Sequence, residues 1–452
     1  MISPFVRRPY HALQHRDFRR LGAALLVSLT GSQMQSVAID WHVYLLTHSP
    51  LMLGLVGLVR VVPIVVFSLW GGIVADRHDR RRVMLAAEAL MTVVASVLAY
   101  VTLSGRDSVP AVFALTAISA GAVAFDNPAR QALLPRLVPA QDLPGALAVM
   151  LTVFQAAQIA GPALAGLLIA GGHGLFGHAV GESLAAAGVT SRKGLGLIYL
   201  VNAVSFLAVL IALLVMKTSG EVERAPGDAT GALESLREGL RFVFHTPIMV
   251  STMTLDFFAT FFSGSMSLLP IFADQILKAG PVGYGWLRAA PGIGAIFGSL
   301  YITLRPLPER QGRALLGSVA AYGAATIVFG LSRSIILTFI ALAATGLADT
   351  ISTIVRQTVR QLVTPDALRG RMTSVNMIFF MGGPQLGELE AGFLASLFAS
   401  AAVGASVSVV TGGAATILIV AGAALFSPVI REYRSSRDGA LRAPRESSAS
   451  RP

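Results

Sequence analysis

Gly71-Gly72-Ile73-Val74-Ala75-Asp76-Arg77-His78-Asp79-Arg80-Arg81-Arg82 sets two acids and four arginines between two long apolar runs. Four arginines are too costly to leave in hydrocarbon, so the stretch reads as a short aqueous loop joining two membrane helices. Its charge marks the cytoplasmic side, because loops retained there are enriched in Lys and Arg. Every other span takes its orientation from this loop.

The rest of the 452 residues agree: 54% are hydrophobic, 13% are charged, mean hydropathy is +0.69, and the apolar residues arrive in runs of about 20 or more. This is the composition of an all-α polytopic membrane protein. The net charge of +11 raises nucleic acid as a partner. The basic residues, however, lie in short loops and tails rather than in one patch interleaved with aromatics, so no nucleic-acid partner is expected. Cysteine is absent, which excludes disulfides and thiol-ligated metal. Arg7, Arg8, Arg16, Arg19 and Arg20 precede an apolar run too long for a signal-peptide core, so it reads as a retained first helix.

Hydropathy predicts spans near 21–46, 51–75, 83–104, 109–127, 145–171 and 195–216, then 247–275, 283–304, 314–332, 334–354, 373–399 and 403–430. Twelve spans put both termini on one side. Of the 35 Lys and Arg, 28 fall in the segments this assignment makes cytoplasmic. Five (Arg106, Arg192, Lys193, Lys278, Arg333) lie in the opposite loops, and Arg60 and Arg288 lie within spans. That bias orients the chain with both termini cytoplasmic in a multi-pass membrane protein. The expected organisation is a six-helix bundle over 1–216, a polar cytoplasmic linker over 217–246, a second bundle over 247–430, and a disordered tail over 431–452. Leu233, Leu236, Leu240, Val243 and Phe244 give the linker an interfacial amphipathic helix. Residues 171–194 read as an extracytoplasmic loop.

The halves repeat. Gly57-Leu58-Val59-Arg60-Val61-Val62-Pro63 is echoed by Gly285-Trp286-Leu287-Arg288-Ala289-Ala290-Pro291, Arg130-Gln131 by Arg356-Gln357, and Gly161-Pro162 by Gly383-Pro384. Several echoes in one order imply two six-helix repeats of parallel topology, which places a substrate site near the midplane between them.

These residues resemble the major facilitator superfamily. Gly72, Asp76, Arg77, Arg80 and Arg81 match its signature between helices 2 and 3, with Asp79 where a glycine is commoner. Gly161-Pro162-Ala163-Leu164-Ala165-Gly166 resembles the antiporter motif of helix 5, with Ala157 and Ala165 replacing two of its glycines. Asp126-Asn127-Pro128-Ala129-Arg130-Gln131, Pro365-Asp366-Ala367-Leu368-Arg369-Gly370-Arg371 and Gln385-Leu386-Gly387-Glu388-Leu389-Glu390 are similar to the multidrug and siderophore efflux branch, which holds enterobactin exporters and macrolide efflux proteins. The resemblance implies the twelve-helix fold, a bacterial inner membrane as the location, export of a small molecule, and contact of Asp126 and Arg130 with the helix 2 to 3 loop.

Physical arguments stand beside it. Asp76 is expected at a helix N-terminus, where a carboxylate meets free amides, with the loop arginines pairing to acids of the other half and latching the cytoplasmic side. A purely topogenic basic loop would read the same way. Gly161 and Gly166 permit close helix approach and Pro162 bends its span, whether or not the motif bears on transport direction.

Charge inside spans is the most informative class, since one ionised group costs roughly 2.5–3.5 kcal/mol at a span centre. The candidates for proton coupling are Asp256, Asp40, Glu388 and Glu390. Asp256 ranks first because it lies about 13 Å into span 7 and desolvation favours a protonated carboxyl; the alternative is an Asp held by Thr254 or Thr260. Asp40 is expected to pair with Arg60, Arg288 with Asp274 as a weaker echo, and a swap of Asp40 with Arg60 to restore folding lost in the single variants. Glu388 and Glu390 stand about 200° apart on a helix, with Gln385 on the Glu388 face. Gln33, Gln155, Gln158, Asn202, Asn376 and Gln385 are cavity candidates or interhelical hydrogen bonds. His42 is the one histidine deep enough for a proton relay. No metal-ligand spacing, catalytic triad, nucleophile elbow or phosphate loop is present, so neither an enzyme nor a cofactor is expected.

The expectation is therefore a secondary transporter working by alternating access, drawing energy from the proton gradient and exporting an amphiphilic drug, macrolide or siderophore. Its partners are the small-molecule substrate, protons and the lipid bilayer. An importer or uniporter of the same fold is the alternative, and a non-transporting sensor a further one.

Overall fold

A computed structural model describes residues 11–171, 184–218, 220, 241–305, 309–365 and 369–434. Apolar runs that satisfy their own backbone hydrogen bonds form long helices, as a bilayer requires. In chain order these are α1 Arg16–Thr47, α2 Pro50–Arg77, α3 Arg80–Leu103, α4 Val109–Leu133, α5 Leu143–Ile169 and α6 Leu184–Val215. After the linker come α7 Pro247–Phe262, α8 Gly280–Leu304, α9 Gln311–Leu331, α10 Ile335–Val363, α11 Arg369–Ser396 and α12 Ala401–Phe426. Among the described residues ten segments are long and apolar enough to cross a membrane, α7 counting with the turns that continue it to Ile276. The other two are α1, which carries Gln33, Gln35 and Asp40, and α11, which carries Glu388 and Glu390. Their polar groups lower their hydropathy, and the count of twelve spans rests on them.

Most boundaries fall within a few residues of the expected ones, with three differences. Helix α6 starts at Leu184, so the outer loop expected over 171–194 is partly helical; no proline interrupts Leu184–Lys193, and Ala185, Ala186 and Ala187 favour helix enough to carry Gly188. Helix α10 runs on to Val363, which brings Arg356 and Arg360 into the helix rather than the following loop. Span 7 is broken: α7 stops at Phe262, and a 3-10 turn, a short α turn and a π-helical turn at Phe272–Ile276 carry the chain on. The break sits where Gly264 lies against Gly387, so close that a Cβ at Gly264 would approach the Gly387 backbone to 2.6 Å. The amphipathic stretch of the linker, up to residue 240, and the tail beyond 434 lie outside the described residues.

Two sides are distinguished by their loops. The near side carries the 2–3 loop, Asp142, Lys217, Gln311 and both described ends; the far side carries the turns at His48, Gly105 and Lys278. The halves meet through α2 on α11 and α5 on α8. The internal repeat carries α2 to α8 and α11 to α5, so the two contacts are one design used twice. Glycine makes both possible: a Cβ at Gly54 would lie 2.7 Å from the Glu388 carbonyl oxygen, and one at Gly166 2.6 Å from that of Pro281. Both lie toward the far ends of their helices. Toward the near side, Trp70 of α2 and Leu151 of α5 are exposed.

Candidate functional site

The far-half junction holds the densest buried charge. Asp40 of α1 accepts a hydrogen bond from Arg60 of α2 at 2.9 Å, and Arg60 also donates to the Ser36 carbonyl at 3.1 Å. The second Asp40 oxygen lies 3.7 Å from Arg288 of α8. Glu388 of α11 is buried beside Gly57 and interacts electrostatically with Arg288, Asp40 and Arg60. Two carboxylates thus face two guanidiniums, about 10–15 Å along their helices from the far ends. The two arginines are internal-repeat counterparts, and they converge on one acid. The repeat counterpart of Glu388 is Gly166, so that carboxylate is supplied once.

This arrangement corrects one expected pair. Arg288 meets Asp40, not Asp274; Asp274 instead accepts a hydrogen bond from Tyr44, whose hydroxyl also accepts from Gln275 at 3.2 Å. The π-helical turn sets Asp274 and Gln275 against α1, an offset that helical spacing does not reveal. Trp41 stacks on Tyr284 with ring centroids 5.2 Å apart, and Tyr284 reaches the Val37 carbonyl at 3.5 Å. Aromatic packing, ion pairing and close glycines therefore seal the halves together on the far side.

The near half is built differently. Asp256 does not stand as a lone desolvated acid: it pairs with Arg356 of α10, while Thr260 spends its hydroxyl on the Asp256 backbone carbonyl. Arg356 also donates to Thr353 Oγ1 at 2.9 Å and lies 3.8 Å from Asp349. Asp256, Thr353 and Arg356 line a pocket with Met249, Met253 and Arg360. In the other half, Arg130 pairs with Asp126 within α4 and faces the buried Glu88 of α3. Glu88 and Asp349 were absent from the sequence candidates, although each is an acid inside a predicted span and the criterion that selected Asp256 would have found them.

The 2–3 loop also differs from expectation. Asp76 belongs to the last turn of α2, with its side chain outside the described set, and the N-cap of α3 is Asp79, which accepts from the Arg81 amide at 2.9 Å. Arg80 donates to the Ala132 carbonyl at the end of α4, and Arg81 to the Leu214 carbonyl at the end of α6, each at 3.0 Å. Arg77 is exposed. Arg80 and Arg81 therefore cap C-terminal helix ends of their own half, where carbonyls lack partners. Among the described residues, no loop arginine pairs with an acid of the other half.

Gly72 is partly buried. Gly161 packs against Gln33 and Thr30 of α1, while Gly166 and the Pro162 carbonyl pack against Gly285 of α8. Asn202 is fully buried and donates to Gln35 at 2.8 Å, so it ties α6 to α1 rather than lining a cavity. Gln33, Gln155 and Gln158 are partly exposed, and Gln385 keeps a buried side-chain oxygen without a partner. The Asn376 side chain lies outside the described set. Glu390 is partly exposed. His42 is buried, 2.9 Å from Asp107 and 3.1 Å from the Tyr199 hydroxyl, with Arg192 beyond Asp107 at 3.4 Å.

Two halves sealed on one side around shared charge suit a transporter, and the relatives agree. The profile of the transmembrane secretion effector family, a major facilitator family, matches residues 7–444. The chain belongs to that family. It is 26% identical over 384 residues to the enterobactin exporter EntS of Shigella boydii serotype 4 (strain Sb227), covering 85% of this chain and 86% of that one. The same exporter from Escherichia coli O1:K1 / APEC gives the same identity and coverage. Among solved structures, a bacterial homologue of the human lysosomal transporter Spinster is similar at a TM-score of 0.68 and 16% identity, covering 97% of this chain and all of that one. A bacterial homologue of the iron transporter ferroportin gives 0.63 at 15% identity, covering 90% and 98%. These likenesses establish the major facilitator fold and, with the family, a multi-pass secondary transporter.

Proposed function

We propose that this transporter exports an amphiphilic small molecule from the cytoplasm across the inner membrane in exchange for protons, with both termini cytoplasmic. Export is supported by the likeness to the enterobactin exporter over most of both chains. The observation that carries the coupling is the far-half cluster, where Asp40, Arg60, Arg288 and Glu388 balance two charges against two across the junction of the halves. Protonating Glu388 or Asp40 leaves two guanidiniums facing one carboxylate. Repulsion then biases the far side away from closure, so proton exchange and alternation share one element. Asp256, tied to Arg356, serves the near wall, and Glu390 stands apart from the cluster. The exporter relatives favour a siderophore such as enterobactin as the substrate class, with macrolides and lipophilic drugs as the other amphiphiles to test.

Proteoliposomes under an imposed pH gradient test this reading. Substrate-triggered proton flux is expected for one class, and Glu388→Gln should abolish that flux while the variant still folds. Flux lost in Asp256→Asn but kept in Glu388→Gln would move the coupling to the near wall. Substrate movement that leaves the gradient untouched would make the protein a uniporter.

A further inference from the structure

The near-half pocket contains a cation that no acid among the described residues pairs with. Arg356 and Arg360 are four residues apart on α10, hence on one face, and they interact with each other repulsively. Arg356 is neutralised by Asp256 and, at 3.8 Å, by Asp349. Arg360 lines the same pocket half-buried and has no acid partner among the described residues. Gln357, three residues before it, adds an exposed amide at the rim, and the buried thioethers of Met249 and Met253 supply an adaptable apolar floor.

The internal repeat shows that this charge is particular to one half. Arg130-Gln131 corresponds to Arg356-Gln357, but the position corresponding to Arg360 is Leu134, which is buried. Arg360 lies in the last turn of α10, as an arginine retained only for topology also would, but its side chain is half-buried and borders a pocket lined by Met249 and Met253, where a guanidinium gains most from a charged partner.

We propose that this pocket is the seat for an oxyanion, a carboxylate or phosphate-type group carried by the transported amphiphile, with Arg360 as its specificity-determining residue. The seat rests on the transporter reading and narrows it: the substrate is an acidic amphiphile, its oxyanion on Arg360 and its apolar body over Met249 and Met253. Arg356 stays with Asp256 and sets the inner limit of the seat.

The full-length protein in phosphatidylcholine nanodiscs, titrated with a dansyl-labelled undecanoate and with its uncharged primary amide, tests this directly. The acid should bind at least about tenfold more tightly than the amide, the size of one charge-assisted hydrogen bond. Arg360→Gln should erase that preference, Arg360→Lys should keep part of it, and Arg305→Gln, at an exposed arginine on the same side, should leave it unchanged. Equal affinity of wild type for acid and amide, or a preference that survives Arg360→Gln, would overturn the proposal. Native mass spectrometry separates the other source of such a group: phosphatidylglycerol retained by wild type and lost in Arg360→Gln, with no acid preference, would assign the seat to a lipid headgroup and overturn the substrate assignment. Binding is read without transport, so a protein that prefers the acid yet moves no substrate breaks the transporter reading and leaves the seat standing.

Discussion

Two pairs of echoed arginines meet different fates. Arg60 and Arg288 leave their own halves' symmetry and converge on Asp40 at the far-half junction, whereas Arg130 and Arg356 each stay with acids of their own half. The first pair makes a contact that must break for the halves to separate on the far side. The second makes walls that can move as rigid bodies. A duplicated sequence thus yields one shared element and two private ones, and the shared one is where a proton can act on both halves at once.

The largest effect expected from this contrast comes from Asp40. Asp40→Ala leaves the largely buried Arg60 and Arg288 with Glu388 alone and should cost about 3 kcal/mol, as removal of one partner of a buried pair does; thermal melting in detergent measures it. Because Asp40 serves two arginines, exchanging Asp40 and Arg60 should recover little stability, since the new arginine would face Arg288. Adding Arg288→Met to the swap should restore most of it. Full rescue by the swap alone would show that Arg288 is not a partner.

Next in size is Gly54. A valine there would press on the Glu388 carbonyl and Gly392 and shift the balance toward far-side opening by about 1–3 kcal/mol, the usual cost of overpacking. The chain has no cysteine, so a single Leu53→Cys reports this cleanly. Leu53 is fully buried, and its maleimide labelling should rise in the Gly54→Val background. Unchanged labelling would mean that α2 and α11 do not form the far-side seal.

The smallest effect belongs to the near-side loop. Asp79→Ala removes the cap of α3 and should cost about 1 kcal/mol in the melt while leaving proton flux intact. Loss of flux with unchanged stability would instead make the loop part of the transport cycle and blur the line between the private and shared elements.

Much of this was legible in the chain. Long apolar runs, the Lys and Arg bias and the echoes required no tertiary information, because insertion into a bilayer is decided span by span. The Asp40–Arg60 pair was also readable, since a two-residue turn fixes both at similar depth. The Arg288 partner was not readable, because a π-helical turn and a break at Gly264 rotate Asp274 onto Tyr44. Asp256 looked like an isolated acid only while Arg356 was assigned to a loop. The extension of α10 to Val363 made it half of a pair.

By itself, then, the sequence determined the spans, their number within the two less apolar helices, their repeat and the charges of the far-half cluster. Those properties follow from local hydropathy and from spacing along one chain. Only the tertiary structure decided which arginine answers which acid, which side is sealed and which pocket cation has no acid partner among the described residues. Those outcomes depend on helix rotation and on glycine contacts between elements far apart in sequence, where one residue of helical phase, about 100°, moves a charge from one partner to another.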